Sequence, residues 1–235
     1  MASDNQNRRI YVTSSDGSAS RDGANLWAFD LGGTPTQIGV ITVQGNELRV
    51  DGLGFYDGVL YGVSQFDNNG QSAGFYTIDL NTFEATLVLD FNNVATVDQG
   101  AISGLDVDPL TGKIYGTNDI RRTVQLIDLN AGTATDFFNY PAGRNDIDGL
   151  AIDDQNNFYL VEDENAPIQI YNTGSGTYTQ LATPFSSGTT FSGGASIFCP
   201  LISTPAAPLP AMGKWALLML GLMILSSGVY LLYRK

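Results

Sequence analysis

Between residues 10 and 198 the chain alternates short apolar runs with clusters of Gly, Asn, Asp and Pro, and no run keeps a helical period. A glycine-led apolar stretch recurs as DGLGF at 51–55, SGLDV at 103–107, DGLAI at 148–152 and SGGASIF at 192–198. A second string stands at 10–13 (IYVT), 60–63 (LYGV), 114–117 (IYGT) and 158–161 (FYLV). A third alternating run closes on Asp30, Asp79, Asp128 and Asn172, and a fourth follows as TQIGVI, ATLVLDF, ATDFF and YTQLA. Runs this short, rich in β-branched and aromatic residues and bounded by turn formers, predict strands. DPLTG at 108–112 and DDQNN at 153–157 predict the turns between first and second strands.

Four strands per unit in tandem predict the blades of an all-β, four-bladed β-propeller. The phase adds a detail: the chain enters at a second strand and ends on a surplus first strand. The pattern therefore predicts ring closure by N- and C-terminal strands sharing one sheet, with SGGASIF completing the first blade and residues 1–9 left as an arm. Residues 10–198 then give about 47 per blade, within the usual propeller period. An irregular β-sandwich or β-solenoid is the alternative. Tyr11, Tyr61, Tyr115 and Tyr159 share one strand position, which predicts packing between neighbouring blades, with a carbohydrate platform as the other use of such rings.

The pattern changes completely after residue 198. Residues 199–210 (CPLISTPAAPLP) hold four prolines and no charge, a semi-rigid spacer. From Trp215 to Tyr233 stand 19 residues without a charge. As a helix they would span ~28 Å, close to the hydrocarbon thickness of a bilayer. Trp215, Tyr230 and Tyr233 stand at its ends, where amphipathic rings favour the interface. The expected layout is thus a propeller at 10–198, a linker at 199–214 and a single C-terminal transmembrane helix at 215–235. Arg234 and Lys235 place the short tail in the cytoplasm by the positive-inside bias, against Lys214 on the other flank. The propeller is then extracytoplasmic. MASDNQNRRIYV has no apolar segment of a signal peptide. That location therefore calls for a leader ahead of Met1, or a start placed too late; a cytoplasm-facing tail anchor needs none.

The string LPAMGKW at 209–215, with the span and basic end behind it, resembles the IPTL-CTERM and PEP-CTERM bacterial sorting signals. Leu209, Pro210, Met212 and Trp215 fall where the pattern I-P-T-L-S-x-W has its residues, while Ala211, Gly213, Lys214 and Ala216 depart from it. The resemblance covers about 27 residues. It implies an envelope or surface protein of a Gram-negative bacterium, handed to an exosortase-like membrane enzyme. The repeat itself is similar to propellers carried by proteins with such tails, which bears on fold and compartment.

Composition narrows the chemistry. The 235 residues include no histidine and one cysteine, Cys199. Histidine-based triads, His-ligated zinc, an intrachain disulfide and thiolate clusters are therefore excluded. The 24 acids against 11 bases argue against a nucleic-acid partner. The residues ahead of the leading glycines alternate as Asp51, Ser103, Asp148 and Ser192. On innermost strands they would ring one channel mouth, with Asp51 and Asp148 opposed across the axis. Such an oxygen set suits a hard cation such as Ca²⁺, and the arrangement resembles hemopexin-like domains in architecture only. The competing reading makes these residues hydrogen-bond acceptors in tight turns, as Asp30, Asp79, Asp128 and Asn172 are expected to be. Asp67-Asn68-Asn69-Gly70 and Glu162-Asp163-Glu164-Asn165 read as solvated loops, and Asn145-Asp146-Ile147-Asp148-Gly149 lacks the downstream glutamate of an EF-hand.

The function expected is that of a non-catalytic, anchored or surface-sorted module that binds an envelope protein or a matrix polysaccharide. One alternative is a propeller hydrolase acting on lactones or glycosides with channel carboxylates. Another is a subunit of an extracellular lattice or filament.

Overall fold

The computed structural model describes residues 1–14, 24–67, 70–97, 102–162, 166–182 and 193–196. The expected transmembrane segment and sorting motif lie outside these residues. So do Leu209, Pro210, Met212, Lys214, Trp215, Arg234 and Lys235, and also Ser192. No helix among the described residues is long and apolar enough to cross a membrane. Their one helical turn is a 3-10 turn at Phe91–Asn93.

The strands form four antiparallel, four-stranded blades, each a meander from the inside outwards. The first comprises β1 (Ala2–Asp4), β2 (Arg9–Ser14), β3 (Asn25–Asp30) and β4 (Thr36–Val40). A small hairpin, β5 (Thr42–Val43) and β6 (Asn46–Glu47), leads to the second: β7 (Gly52–Tyr56), β8 (Val59–Ser64), β9 (Gly74–Ile78) and β10 (Ala85–Asp90). The third contains β11 (Ile102–Val107), β12 (Ile114–Asn118), β13 (Thr123–Asp128) and β14 (Thr133–Asn139). The fourth contains β15 (Gly149–Ile152), β16 (Asn157–Val161), β17 (Ile168–Asn172) and β18 (Thr177–Leu181). β7 lies beside β1, β11 beside β7, and β15 beside β11. The expected four-bladed all-β ring is present.

Its closure differs from the expectation. The innermost strand of the first blade is β1, which pairs with β2 through Ala2–Tyr11, Ser3–Ile10 and Asp4–Arg9. The first residues are thus a strand and a turn, not an arm. Asp4 fixes that turn by accepting the Asn7 N–H at 3.0 Å and the Asn7 side-chain amide at 2.7 Å. Gly193–Ser196, expected to fill the place that β1 holds, instead lies between β15 and β1. An atom added as Cβ on Gly149 would fall 2.7 Å from the Gly193 carbonyl carbon, and one on Gly193 would fall 3.4 Å from the Met1 nitrogen. The Ser3 hydroxyl donates to the Ser196 carbonyl at 2.6 Å. The segment therefore holds a fifth innermost position, and the glycine-led repeat marks inner positions around the ring, five in all with β1.

The core fills the seams between blades. Leu26, Leu53, Leu60 and Tyr76 pack between the first and second. Phe75, Phe91, Ile102 and Leu105 pack between the second and third. Phe138, Ile147, Leu150 and Phe158 pack between the third and fourth. Three of the four recurrent tyrosines serve these seams as expected. Tyr11 stacks on Phe55 of the next blade at 5.6 Å between centroids, and Tyr115 meets Phe158 edge-on at 4.9 Å. Tyr61 packs on Phe75 of its own blade and against the cluster shared with the third blade, whereas Tyr159 donates its hydroxyl to Asp153.

The turn chemistry is equally local. Asp79 accepts the N–H groups of Asn81 and Thr82, Asp128 those of Asn130 and Ala131, and Asn172 that of Ser175. These are the expected Asx turns. Asp30 departs, because its carboxylate takes the Arg9 guanidinium at 2.9 Å instead. Asp108 and Asp153 organise the first hairpins of their blades in the same way. The second blade has only Asp57-Gly58 there, with φ of 48° and 81°, the two-residue turn that demands positive φ at both positions.

Candidate functional site

Three carboxylates converge where the third and fourth blades meet. Asp119 follows β12 directly, and Asp146 and Asp148 belong to the loop that enters β15. One oxygen from each lies within 4.8 Å of the others. That limit is two metal–oxygen distances of ~2.4 Å, so a hard cation could be shared by these oxygens.

Asp119 is held in place by three donors. The Tyr140 hydroxyl and the Ile147 N–H reach one oxygen at 2.9 and 3.0 Å, and the Ser103 hydroxyl reaches the other at 2.8 Å. Burial raises the Asp119 carboxyl above its usual range, the three donors oppose this, and the neighbouring Asp146 charge raises it further. A carboxylate kept this way by desolvation and by like charge gains from a divalent ion. Burial first, and Asp119 second, raise the Tyr140 phenol well above its ordinary value, which keeps it a donor. Ser103 is buried and also meets the Thr117 hydroxyl at 3.1 Å and the Ile147 carbonyl at 3.0 Å, so its position is fixed from both blades.

Of the four residues expected at the channel mouth, Ser192 lies outside the described residues. Ser103 and Asp148 come together here, across one seam. Asp51 has partners within its own blade. Its oxygens take the Arg49 guanidinium at 2.6 Å and the Gln65 N–H at 2.9 Å, so it acts as an ion-paired acceptor at the start of the second blade. Asp119 is the member that no sequence argument singled out. Its signal is positional: it is the first residue beyond the second strand, where the second blade has Gln65, whose backbone serves Asp51.

No family model and no curated protein matches the chain. Among solved structures, it is similar to a structural-genomics protein of unknown function from Bacteroides thetaiotaomicron, with a TM-score of 0.56 and 14% identity. That alignment covers 83% of this chain and 53% of the other. It is also similar to a chain of the nidogen/laminin complex, with a TM-score of 0.51 and 16% identity over 83% of this chain and 66% of the other. The shared feature is the β-propeller fold. This chain therefore spans about half to two thirds of these neighbours' lengths.

Proposed function

We propose that the chain is a non-catalytic, membrane-anchored or surface-sorted extracytoplasmic propeller that binds an envelope protein or a matrix polysaccharide with Ca²⁺ at the mouth between its third and fourth blades. The observation that carries this reading is the Asp119–Asp146–Asp148 cluster, built from two blades and braced by Ser103 and Tyr140. Residues 199–235 supply the anchor through the spacer, the apolar run and the sorting-like motif, with an exosortase-like enzyme as the processing partner. The propeller neighbours are compatible with a binding module, and one of them comes from a complex between two proteins.

The test uses the purified chain on a glycan array and against envelope fractions, with calcium or with a chelator. Calcium-dependent capture supports the proposal. Capture unchanged by chelation, or turnover of a lactone or glycoside panel, rejects it. Millimolar Ca²⁺ is expected to raise the melting temperature of the wild-type chain, by an amount equivalent to ~2.7 kcal/mol once the ion is at a hundred times its dissociation constant. Asp119→Asn and Asp148→Asn should remove that response, whereas Asp51→Asn should keep it. An equal shift in all four proteins would reject the site.

A further inference from the structure

The four outermost strands do not end their sheets alike. β4, β10 and β14 each carry a bulge against the third strand at the equivalent step, with Ile38, Val88 and Phe137 as the extra residues. β18 instead pairs with β17 without a break, from Asn172–Thr177 to Ile168–Leu181. A bulge bends and twists an edge away from the line that a further strand would follow, and a charge on the edge opposes such a strand again. β10 ends on Asp90, and β14 holds Asp136 in an ion pair with Arg121. β18 is Thr-Tyr-Thr-Gln-Leu, five residues with no bulge, charge, proline or glycine. Thr177, Thr179, Gln180 and Leu181 are exposed, and among the described residues no strand pairs with the outer side of β18.

The surroundings of this edge are neutral too. The chain carries a net charge of -13, yet no residue from Ala166 to Gly213 is charged, a stretch that includes β17, β18 and the turn between them. Two copies of so acidic a chain repel each other on most approaches, and least where an uncharged edge meets an uncharged edge.

We propose that β18 is an association edge that pairs antiparallel with β18 of a second copy of the chain, joining two fourth blades into one continuous sheet. A two-fold axis imposes antiparallel pairing on identical strands and makes the contact self-complementary. With the five residues fully overlapped, Thr179 stands opposite the second copy's Thr179, Tyr178 opposite its Gln180, and Thr177 opposite its Leu181. The backbone N–H and C=O groups on the outer side of the edge gain partners, and Leu181, 48% exposed, gains cover. Asp119, Asp146 and Asp148 take no part in this contact. A ladder of five residues is a small interface, so the dimer is reversible and depends on concentration.

The experiment is sedimentation velocity of the full chain in a neutral detergent over a range of concentrations, comparing wild type with Thr179→Lys and Thr179→Glu. Thr179 is exposed, and either substitution sets like charges directly opposite each other across the two-fold axis. The wild type is expected to pass from monomer to dimer as concentration rises. Each variant alone should stay monomeric where the wild type is dimeric, and an equimolar mixture of the two should recover the dimer through the Lys–Glu pair. A wild type that is monomeric throughout would overturn the proposal. So would a dimer that persists in both variants, which would place association elsewhere, residues 199–235 included, and so would a mixture that stays monomeric. If the variants fail to fold, amide exchange in the wild type decides: amides of Thr177–Leu181 should exchange more slowly at high than at low chain concentration, and those of β10 equally at both. Equal rates in β18 would overturn the proposal.

Discussion

Gly149→Ala is expected to lower the melting temperature by roughly 5–12 °C, as ~2–4 kcal/mol of overpacking and lost seam contacts would in a chain of this size. The alanine Cβ would stand 2.7 Å from the Gly193 carbonyl carbon, 2.8 Å from the Val161 Cβ and 2.9 Å from the Gly194 nitrogen. Two of those atoms are backbone, so no side-chain rotation relieves the clash, and relief requires Gly193–Ser196 to leave its place between β15 and β1. Gly52→Ala should act in the same way at the seam between the second and third blades, where the new atom would stand 2.5 Å from the Ser103 carbonyl oxygen. Gly174→Ala is the control, since its Cβ would meet only the Asn172 side chain at 3.3 Å on an exposed turn. Thermal unfolding of the three variants checks this. A Gly149→Ala chain that melts with wild type would show that the segment does not close the ring.

Phe158→Ala should cost ~3–5 kcal/mol, the range for truncating a buried aromatic residue. Phe158 is 2% exposed on β16. Its ring meets Tyr115 at 4.9 Å and Phe138 at 5.2 Å, both edge-on, and Phe137 at 5.8 Å. All three partners belong to the third blade, so the cavity would open at the same seam that carries the carboxylate cluster. Phe158→Leu, which retains most of the volume, should lose about half as much or less. Equilibrium denaturation of both variants measures the pair. Equal losses would mean that the site collapses around either side chain and that the aromatic geometry adds nothing.

The blades were readable in the sequence because each is a local meander, and each strand announces itself by alternation and by the turn beside it. The closure was not. β1 is three residues, Ala-Ser-Asp, with no glycine signature and no apolar run, and only its ladder to β2 identifies it. SGGASIF carries the signature, and its described part, Gly193–Ser196, holds an inner position beside β1. The site was legible in the same measure. Ser103 and Asp148 share a repeat position and were found by it. Asp119 sits in a loop, and its approach to Asp148 depends on how two blades meet. Asp51 has the right residue type in the right repeat position, and Arg49, two residues away, takes it for an ion pair.

The bond between Ser3 and Ser196 joins groups 193 positions apart, whereas every blade pairs strands that are close in the chain. Bringing together the ends of a flexible loop that long costs ~5 kcal/mol of entropy by the logarithmic law, apart from a constant. Within a blade that cost is small and is repaid at once by a ladder of hydrogen bonds. Assembly therefore has an order: the blades form from their own neighbours, and the ring shuts only after the last inner segment has been synthesised. Until then one flank of β1 lacks its neighbour, so ring closure, and not blade formation, is the step expected to be slow.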